Sequence, residues 1–445
     1  MTQSTIAGSV AGMPARTAET TRHMIGAIVA SVFGWSLDLF DLFVLLYVAP
    51  VIGAAFFPSE VPTLSLAAVY ASFAVTLLMR PVGSAVFGSY ADRHGRKNAM
   101  TIAVVGVGVS TALFGTLPTI HQIGIAAPLV FLTLRLVQGV FVGGVVASTH
   151  TIGTESVPPS WRGTLSGLIG GGAGVGALLA SLVFFVTSAI FPGPAFAAWG
   201  WRVMFFSGIL SSGLGLFVFK SLEESPYWKE LQATKTDQTH IAHAPLANLF
   251  SGRHLRVLLI NLPITIGGGA GYYLTSGYMP SFLKLVNQVS NTTTSMILIV
   301  ASIVAIVAAT FTGWLSDQLG RKRCFILIGL LNAILLPTLY LTLAGAQGIG
   351  TIFACAMAIA FLGNAGYAPI LIFLNERFPT ALRASGTGLS WNIGFAVGGT
   401  MPTFVSLASG SVAGIPAALA VFCGVLYAIY LVGSLIVPET RGRFE

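Results

Sequence analysis

Charged side chains are scarce in this chain. Of its 445 residues only 8% are Asp, Glu, Lys or Arg, against about 25% in soluble domains. A soluble globule must cover its surface with polar groups, so that class is excluded. Disorder requires low hydrophobicity, and it is excluded by a 55% hydrophobic content and a mean hydropathy of +0.85. Cysteine is nearly absent: Cys324, Cys355 and Cys423 lie inside apolar runs at no metal or disulfide spacing, and they read as small packing residues. A Walker lysine loop, an HExxH motif and clustered metal ligands are missing too. Without them ATP-driven transport is not expected, and no metal or other cofactor is. No nucleophile–base constellation appears either, so the chain does not read as an enzyme.

What the sequence does have is apolar runs. Twelve are long enough to span a bilayer, at about 24–54, 63–90, 99–118, 127–150, 164–191, 199–220, 256–282, 294–315, 323–345, 349–375, 384–408 and 412–436. A lipid-facing backbone must satisfy its own polar groups, which makes these runs helices. The expected fold is an all-α polytopic membrane protein. Residues before Met24 are polar and the first run is too long for a signal h-region, so no cleavable signal is expected.

The formal net charge of +8 reflects topology rather than nucleic-acid binding. With both termini inside, Arg202 and Lys284 are the basic residues outside, and Arg80 and Arg135 lie within spans. The remaining eighteen Lys and Arg fall on cytoplasmic segments. That bias fixes the expected orientation. The most polar stretch, from Ser221 onward, divides the chain. The expected organisation is a cytoplasmic tail (1–23), a six-helix bundle (24–220), a cytoplasmic linker (221–255), a second six-helix bundle (256–436) and a cytoplasmic tail (437–445).

The halves repeat. Gly88-Ser-Tyr-Ala-Asp92-Arg93-His94-Gly95-Arg96-Lys97 follows the second span, and Gly313-Trp-Leu-Ser-Asp317-Gln318-Leu319-Gly320-Arg321-Lys322 follows the eighth. Glu155 and Arg162 after the fourth span match Glu376 and Arg383 after the tenth. The two motifs are offset by 225 and 221 residues, nearly the same interval. Parallel six-helix repeats of this kind mark transporters that rock one half against the other around a central cavity.

The duplicated G-x-x-x-D-R-x-G-R-K loop resembles the signature of the major facilitator superfamily. Arg80-Pro-Val-Gly83, Leu134-Arg135-Leu-Val-Gln-Gly139, Trp199-Gly-Trp-Arg202, Leu222-Glu-Glu-Ser-Pro226 and Glu376-Arg-Phe-Pro-Thr are similar to its metabolite:proton symporter branch. Gly34-Trp-Ser-Leu-Asp38-Leu-Phe-Asp41 looks more like the sialate, lactate and aromatic-acid branches. One departure stands out: Gly143-Gly144 is followed by Val145-Val146, where related branches often carry an acid. The resemblance implies that the duplicated motifs form a latch favouring the outward-facing state. It also implies a proton-coupling pair between a first-helix aspartate and the fourth-helix arginine.

Charges inside spans are costly and point to function. Asp38 and Asp41 share a helical face. Asp41 and Arg135 sit at similar depth on helices running in opposite directions, which predicts a pair between them. Arg80 lies too deep to join the loop latch. It reads equally as a carboxylate ligand, for which a guanidinium is suited, or as a partner for Asp38 or Glu155. The second half has no deep charge. Its polar candidates are Asn261, Tyr272, Tyr273, Tyr278, Asn364, Tyr367, Trp391 and Asn392, beside the flexible Gly267-Gly-Gly-Ala-Gly271 run. Proton coupling is therefore expected at Asp38, Asp41 and Arg135. Substrate contacts are expected at Arg80, Arg135, Gln138, Tyr272, Tyr273, Asn364 and Asn392. The gating set comprises Gly88, Asp92, Arg93, Gly95, Arg96, Lys97, Glu155, Arg162, Asp317, Gly320, Arg321, Lys322, Glu376 and Arg383. Gly172-Ala-Gly174-Val-Gly-Ala177 imitates a dinucleotide fingerprint, but no strand precedes it. Together with Gly163, Gly167 and Gly171 it reads as helix packing.

The expected function is proton-coupled symport of a small organic anion, in particular a carboxylate. If both aspartates protonate, two arginines leave the chamber positive. A zwitterionic osmolyte such as betaine or proline is the alternative on the same fold. A non-transporting receptor is the alternative of another class. The proton is the expected coupling ion, and a monomer in the plasma membrane (the inner membrane of a Gram-negative cell) is the expected setting.

Overall fold

The computed structural model describes residues 13–94, 96–155, 161–220, 252–378 and 383–442. Within them the side chains of 13–24, 27, 85, 88, 89, 91–94, 96, 97, 146–155, 218–220, 253 and 383–385 are not described. The described residues are almost wholly helical. α1 is Met13–Tyr47, continued by Ala49–Phe56; α2 is Pro62–Leu78 and Arg80–His94; α3 is Arg96–Phe114. α4 is Ala126–Glu155, α5 is Arg162–Ile190, and α6 is Trp201–Phe206 with Gly208–Lys220. In the second half α7 is Gly252–Tyr272, a π-helical turn Tyr273–Gly277 and Met279–Leu285. It is followed by α8 (Asn291–Leu319), α9 (Arg321–Ala344), α10 (Ile349–Tyr367 and Ile370–Asn375), α11 (Arg383–Ser409) and α12 (Ile415–Ile436). Twelve helices in two six-helix bundles are the architecture expected from the apolar runs.

Several single runs of sequence are broken helices. Pro50, Pro81, Pro280 and Pro369 each fall within the first two residues of a segment or just before it. A proline there lacks the N–H that would continue the preceding turn. Gly320 makes the sharp reversal from α8 to α9 at φ +91°, a left-handed conformation that a residue without Cβ adopts freely.

The bundles meet along two seams. α5 packs on α8, and α2 packs on α11. At the first seam the glycine run of α5 faces the other half. A Cβ on Gly167 would lie 2.5 Å from the Ala309 carbonyl, and one on Gly313 2.5 Å from the Gly163 carbonyl. Small residues thus let the two backbones touch, as helix association in lipid requires. The dinucleotide-like run lies within this packed helix: a Cβ on Gly172 would meet Val32, and one on Gly174 Ile306. Nine described helices are long and apolar enough to cross a membrane by length and composition. α11 is not among them. Its Thr387, Ser390, Asn392 and Ser406 are buried against protein rather than lipid. The linker expected at 221–255 lies largely outside the described residues.

Candidate functional site

The site begins with three residues of α1, Trp35, Asp38 and Asp41, spaced so that one turn separates each from the next. All three are buried. Asp38 points toward the other half. Arg80, which opens the second segment of α2, donates from Nη2 to Asp38 Oδ2 at 3.3 Å, and both side chains are almost inaccessible. Arg80 is therefore a partner of Asp38. Arg80 Nε and Asp38 Oδ1 have no hydrogen-bond partner, so each ion keeps one open position.

Aromatic side chains from both halves surround this pair. Trp35 Nε1 donates to the Tyr367 hydroxyl at 2.7 Å. Tyr367 stacks on Tyr272 (4.8 Å between centroids) and meets Trp391 edge-on at 5.3 Å, while Trp35 meets Trp391 at 5.6 Å. Arg80 and Asp38 lie within electrostatic reach of Tyr273 and Tyr367. Tyr273 packs on Phe73 of α2 and Phe395 of α11. The Tyr272 hydroxyl, Trp391 Nε1, Ser390 Oγ and Asn392 Oδ1 are buried without partners. Such groups are costly to leave unpaired and are normally satisfied by a ligand or water.

Beside Tyr272 lies a small, partly open cavity of about 20 Å³. Phe43, Tyr47, Ala173 and Ala177 wall it from the first half, and Thr275, Ser276, Ser302 and Asn364 supply its polar atoms from the second. Asn364 Nδ2 donates to Ser276 Oγ at 3.1 Å and to the Ala360 carbonyl at 2.8 Å. No charged residue lines this space. The halves meet on both sides of it. At one end, the Tyr70 hydroxyl donates to Ser281 Oγ at 2.9 Å and its ring stacks on Tyr278 at 5.0 Å.

The other end carries the duplicated motif. Asp317 of α8 accepts from the Gly163 and Thr164 amides at 3.1 and 2.7 Å, and from Thr164 Oγ1 at 3.0 Å. It thereby caps the N-terminus of α5 across the seam, where helix-end N–H groups favour an anion. Arg321 donates to Asp317 Oδ1 at 2.8 Å and grips both oxygens of Glu376 at 3.1 and 3.0 Å. Glu439 accepts from the Arg321 and Lys322 amides at 2.9 and 3.1 Å, capping α9. Partial burial raises the Glu439 carboxyl, but four backbone N–H bonds outweigh it and hold the group below the usual carboxylate range. Lys322 Nζ reaches the Leu435 carbonyl at 2.8 Å. The side chains of the first copy (Gly88, Asp92, Arg93, Gly95, Arg96 and Lys97), and those of Glu155 and Arg383, lie outside the described residues. Arg162 begins α5 at this seam.

The pair expected between Asp41 and Arg135 is not formed. Asp41 Oδ2 accepts from Ser211 of α6 at 3.0 Å, the Thr111 hydroxyl of α3 borders the same carboxylate, and Oδ1 is open. Arg135 donates from Nη1 to Gln138 Oε1 at 2.7 Å, and Gln138 Nε2 donates to Thr111 Oγ1 at 2.8 Å. The guanidinium lies over the Phe114 ring at 4.2 Å and near Phe131 at 5.2 Å. Depth along antiparallel helices does not decide the neighbour: α3 contributes Thr111 between the two groups. Gln138 and Arg135 were expected at the substrate; they lie inside the first bundle, and neither lines the cavity. Sequence reasoning also missed Trp35, Thr111 and Ser211. Trp35 was detectable, one turn before Asp38. Thr111 and Ser211 look like ordinary small polar residues of a span, and nothing in their spacing marks them.

A family model described as Major Facilitator Superfamily matches residues 32–388 and 262–443. The chain is 30% identical over 381 residues to the glycine betaine/proline/ectoine/pipecolic acid transporter OusA of Dickeya dadantii, covering 85% of this chain and 76% of that one. It is 30% identical over 384 residues to the proline/betaine transporter of Escherichia coli, covering 85% and 77%. Over 419 residues it is 28% identical to the inner membrane metabolite transport protein YhjE of Escherichia coli, covering 93% and 94%. Its fold is similar to that of the xylose transporter XylE of E. coli in a partially occluded inward-open conformation. The TM-score is 0.71 at 20% sequence identity, covering 95% and 99% of the two chains.

Proposed function

Since the chain belongs to the major facilitator superfamily and is a multi-pass membrane transporter, we propose that it is a proton-coupled symporter of a zwitterionic osmolyte such as betaine or proline. One observation carries this reading: the buried Arg80–Asp38 pair of the first bundle, within electrostatic reach of Tyr273 and Tyr367 of the second, with one open position on each ion. An organic anion needs a cation and gains nothing from a carboxylate beside it. A zwitterion uses both, its carboxylate on the Arg80 guanidinium and its ammonium toward Asp38. The faces of Trp35, Tyr272, Tyr367 and Trp391 add attraction for a poorly hydrated cation. The names of the relatives agree with a betaine or proline substrate. The anion expected from the count of arginines assumed that both aspartates discharge together. With Asp38 bound to Arg80, the pair presents one charge of each sign to the aromatic cluster around it.

Transport then proceeds by alternating access. Opening the Tyr70–Tyr278 end admits the substrate. Breaking the Asp317 cap on α5 releases it on the other side, which the charge bias of the sequence makes cytoplasmic, with both termini there. Asp41, set apart from the chamber, serves as the proton site. The protein acts as a monomer in the plasma membrane, the inner membrane in a Gram-negative cell. The test is uptake of labelled betaine and proline by proteoliposomes under an imposed pH gradient, with unlabelled competitors. Betaines should suppress the signal and simple carboxylates should not; the reverse order would return the anion. Asp41→Asn should lose gradient-driven accumulation and keep counterflow exchange.

A further inference from the structure

Among the described residues of the first bundle, Asp41 and Arg135 are buried ionisable groups without an ion-pair partner, yet they are joined. Arg135 Nη1 donates to Gln138 Oε1, and Gln138 Nε2 donates to Thr111 Oγ1, which borders the Asp41 carboxylate. Each of these residues is buried. The order of donors is fixed by charge. A guanidinium can only donate, so it holds the amide oxygen of Gln138 and turns the amide nitrogen toward Thr111. Thr111 Oγ1 must accept that bond, so its own proton is free to go elsewhere. Two acceptors are within reach: the Val107 carbonyl, at 3.0 Å, and Asp41.

We propose that Thr111 and Gln138 are positioning residues that transmit the Arg135 charge to Asp41, with the Thr111 hydroxyl as a rotor that follows the proton. When Asp41 is ionised, the hydroxyl turns to the carboxylate, and the polarised chain from Arg135 stabilises the negative charge. When Asp41 takes a proton, the hydroxyl returns to Val107 and Asp41 can itself donate to Thr111 Oγ1. The cation and the anion then influence each other across α3 without touching. Arg135 Nε and Nη2 have no hydrogen-bond partner.

Other charges do not replace this link. On the same helix Asp38 is held by Arg80 and opposes a second negative charge nearby. Ser211 of α6 donates a neutral bond to Asp41. Among the remaining charged side chains described on helices packed against α1, Arg202 of α6 donates to the Gly115 and Leu117 carbonyls. Lys284 of α7 lies over the Phe196 ring at 5.9 Å, Arg256 near the start of α7 is exposed, and Arg162 begins α5 at the far end.

This rests on Asp41 being the proton site, so the experiment reads that carboxyl without requiring transport. Infrared difference spectra of the purified protein are recorded through a pH titration, with Asp41→Asn identifying the Asp41 carboxyl band. In Thr111→Val, which removes the hydroxyl at nearly constant shape, the ionised form loses its donor. A hydrogen bond to a charged group is among the stronger ones, so the midpoint should rise by about one pH unit or more. Gln138→Leu should move it the same way, and Thr111→Ser should restore the wild-type midpoint. A merely structural role would lower yield or uptake in every variant and leave the midpoint in place. Superimposable titrations for wild type, Thr111→Val and Gln138→Leu would overturn the relay. A midpoint that shifts as stated, in protein that accumulates neither betaine nor proline, would uphold the relay and refute the proposed substrate.

Discussion

Arg80 and Asp38 form a buried ion pair in which neither residue is stable without the other. Taking both ions out of water is expensive, and their attraction offsets that cost only while the pair is intact. In Asp38→Asn, Arg80 keeps its charge in a site where its side chain is 4% accessible. Breaking such a pair costs about 3–5 kcal/mol, so the variant should melt well below wild type in detergent and bind no betaine. The double variant Asp38→Asn with Arg80→Gln should recover most of the melting temperature and none of the binding. If the single variant melts like wild type, Arg80 has found another partner and the pair is not the organising feature of the chamber.

Among the elements, α5 and α8 decide whether the Asp317 end is closed. Their glycines bring the backbones together, and closeness is what lets Asp317 reach the first amides of α5. Gly313→Val places methyl groups where a Cβ alone already lies 2.5 Å from the Gly163 carbonyl. Neither backbone can yield without moving its helix, so the helices must separate at this end and the cap must break. Spin labels placed at the α5 and α8 ends should then report a longer mean distance and a larger open population than in wild type. An unchanged distance distribution would mean that the seam absorbs the volume and that the glycines are not needed for closure. α9 is held from a different direction: Glu439 caps it, and Thr440 donates to Glu376 at 2.7 Å. The segment after α12 thus fastens onto the Arg321–Glu376 cluster.

For the molecule as a whole, the charge of the cargo determines what drives it. A zwitterion carried with one proton moves one net positive charge, whereas a monovalent anion carried with one proton moves none. One charge crossing 100 mV is worth about 2.3 kcal/mol, a limit on the order of fifty-fold in accumulation. Uptake of betaine into proteoliposomes should therefore be driven by an inside-negative potassium diffusion potential even with no pH gradient. Uptake that responds to pH alone and ignores the potential would fit the anion and contradict the zwitterion.

The sequence by itself determined the solvent, the helices and the repeat. Low charge and long apolar runs leave a lipid-facing backbone no alternative to helix, and the duplicated loops at a common offset impose two similar halves. It also marked Asp38, Asp41, Arg80 and Arg135, because an ion within a span is conspicuous among apolar neighbours. Only the tertiary structure decided who pairs with whom. Spacing along one helix gives depth and face, but not which of several helices supplies the neighbour. Arg80 reached Asp38 because α1 and α2 both pack on α4, and Thr111 of α3 came to stand between Asp41 and Arg135. Neutral residues such as Thr111, Ser211 and Gln138 acquire a role from what surrounds them, and that environment is assembled from segments far apart in the chain.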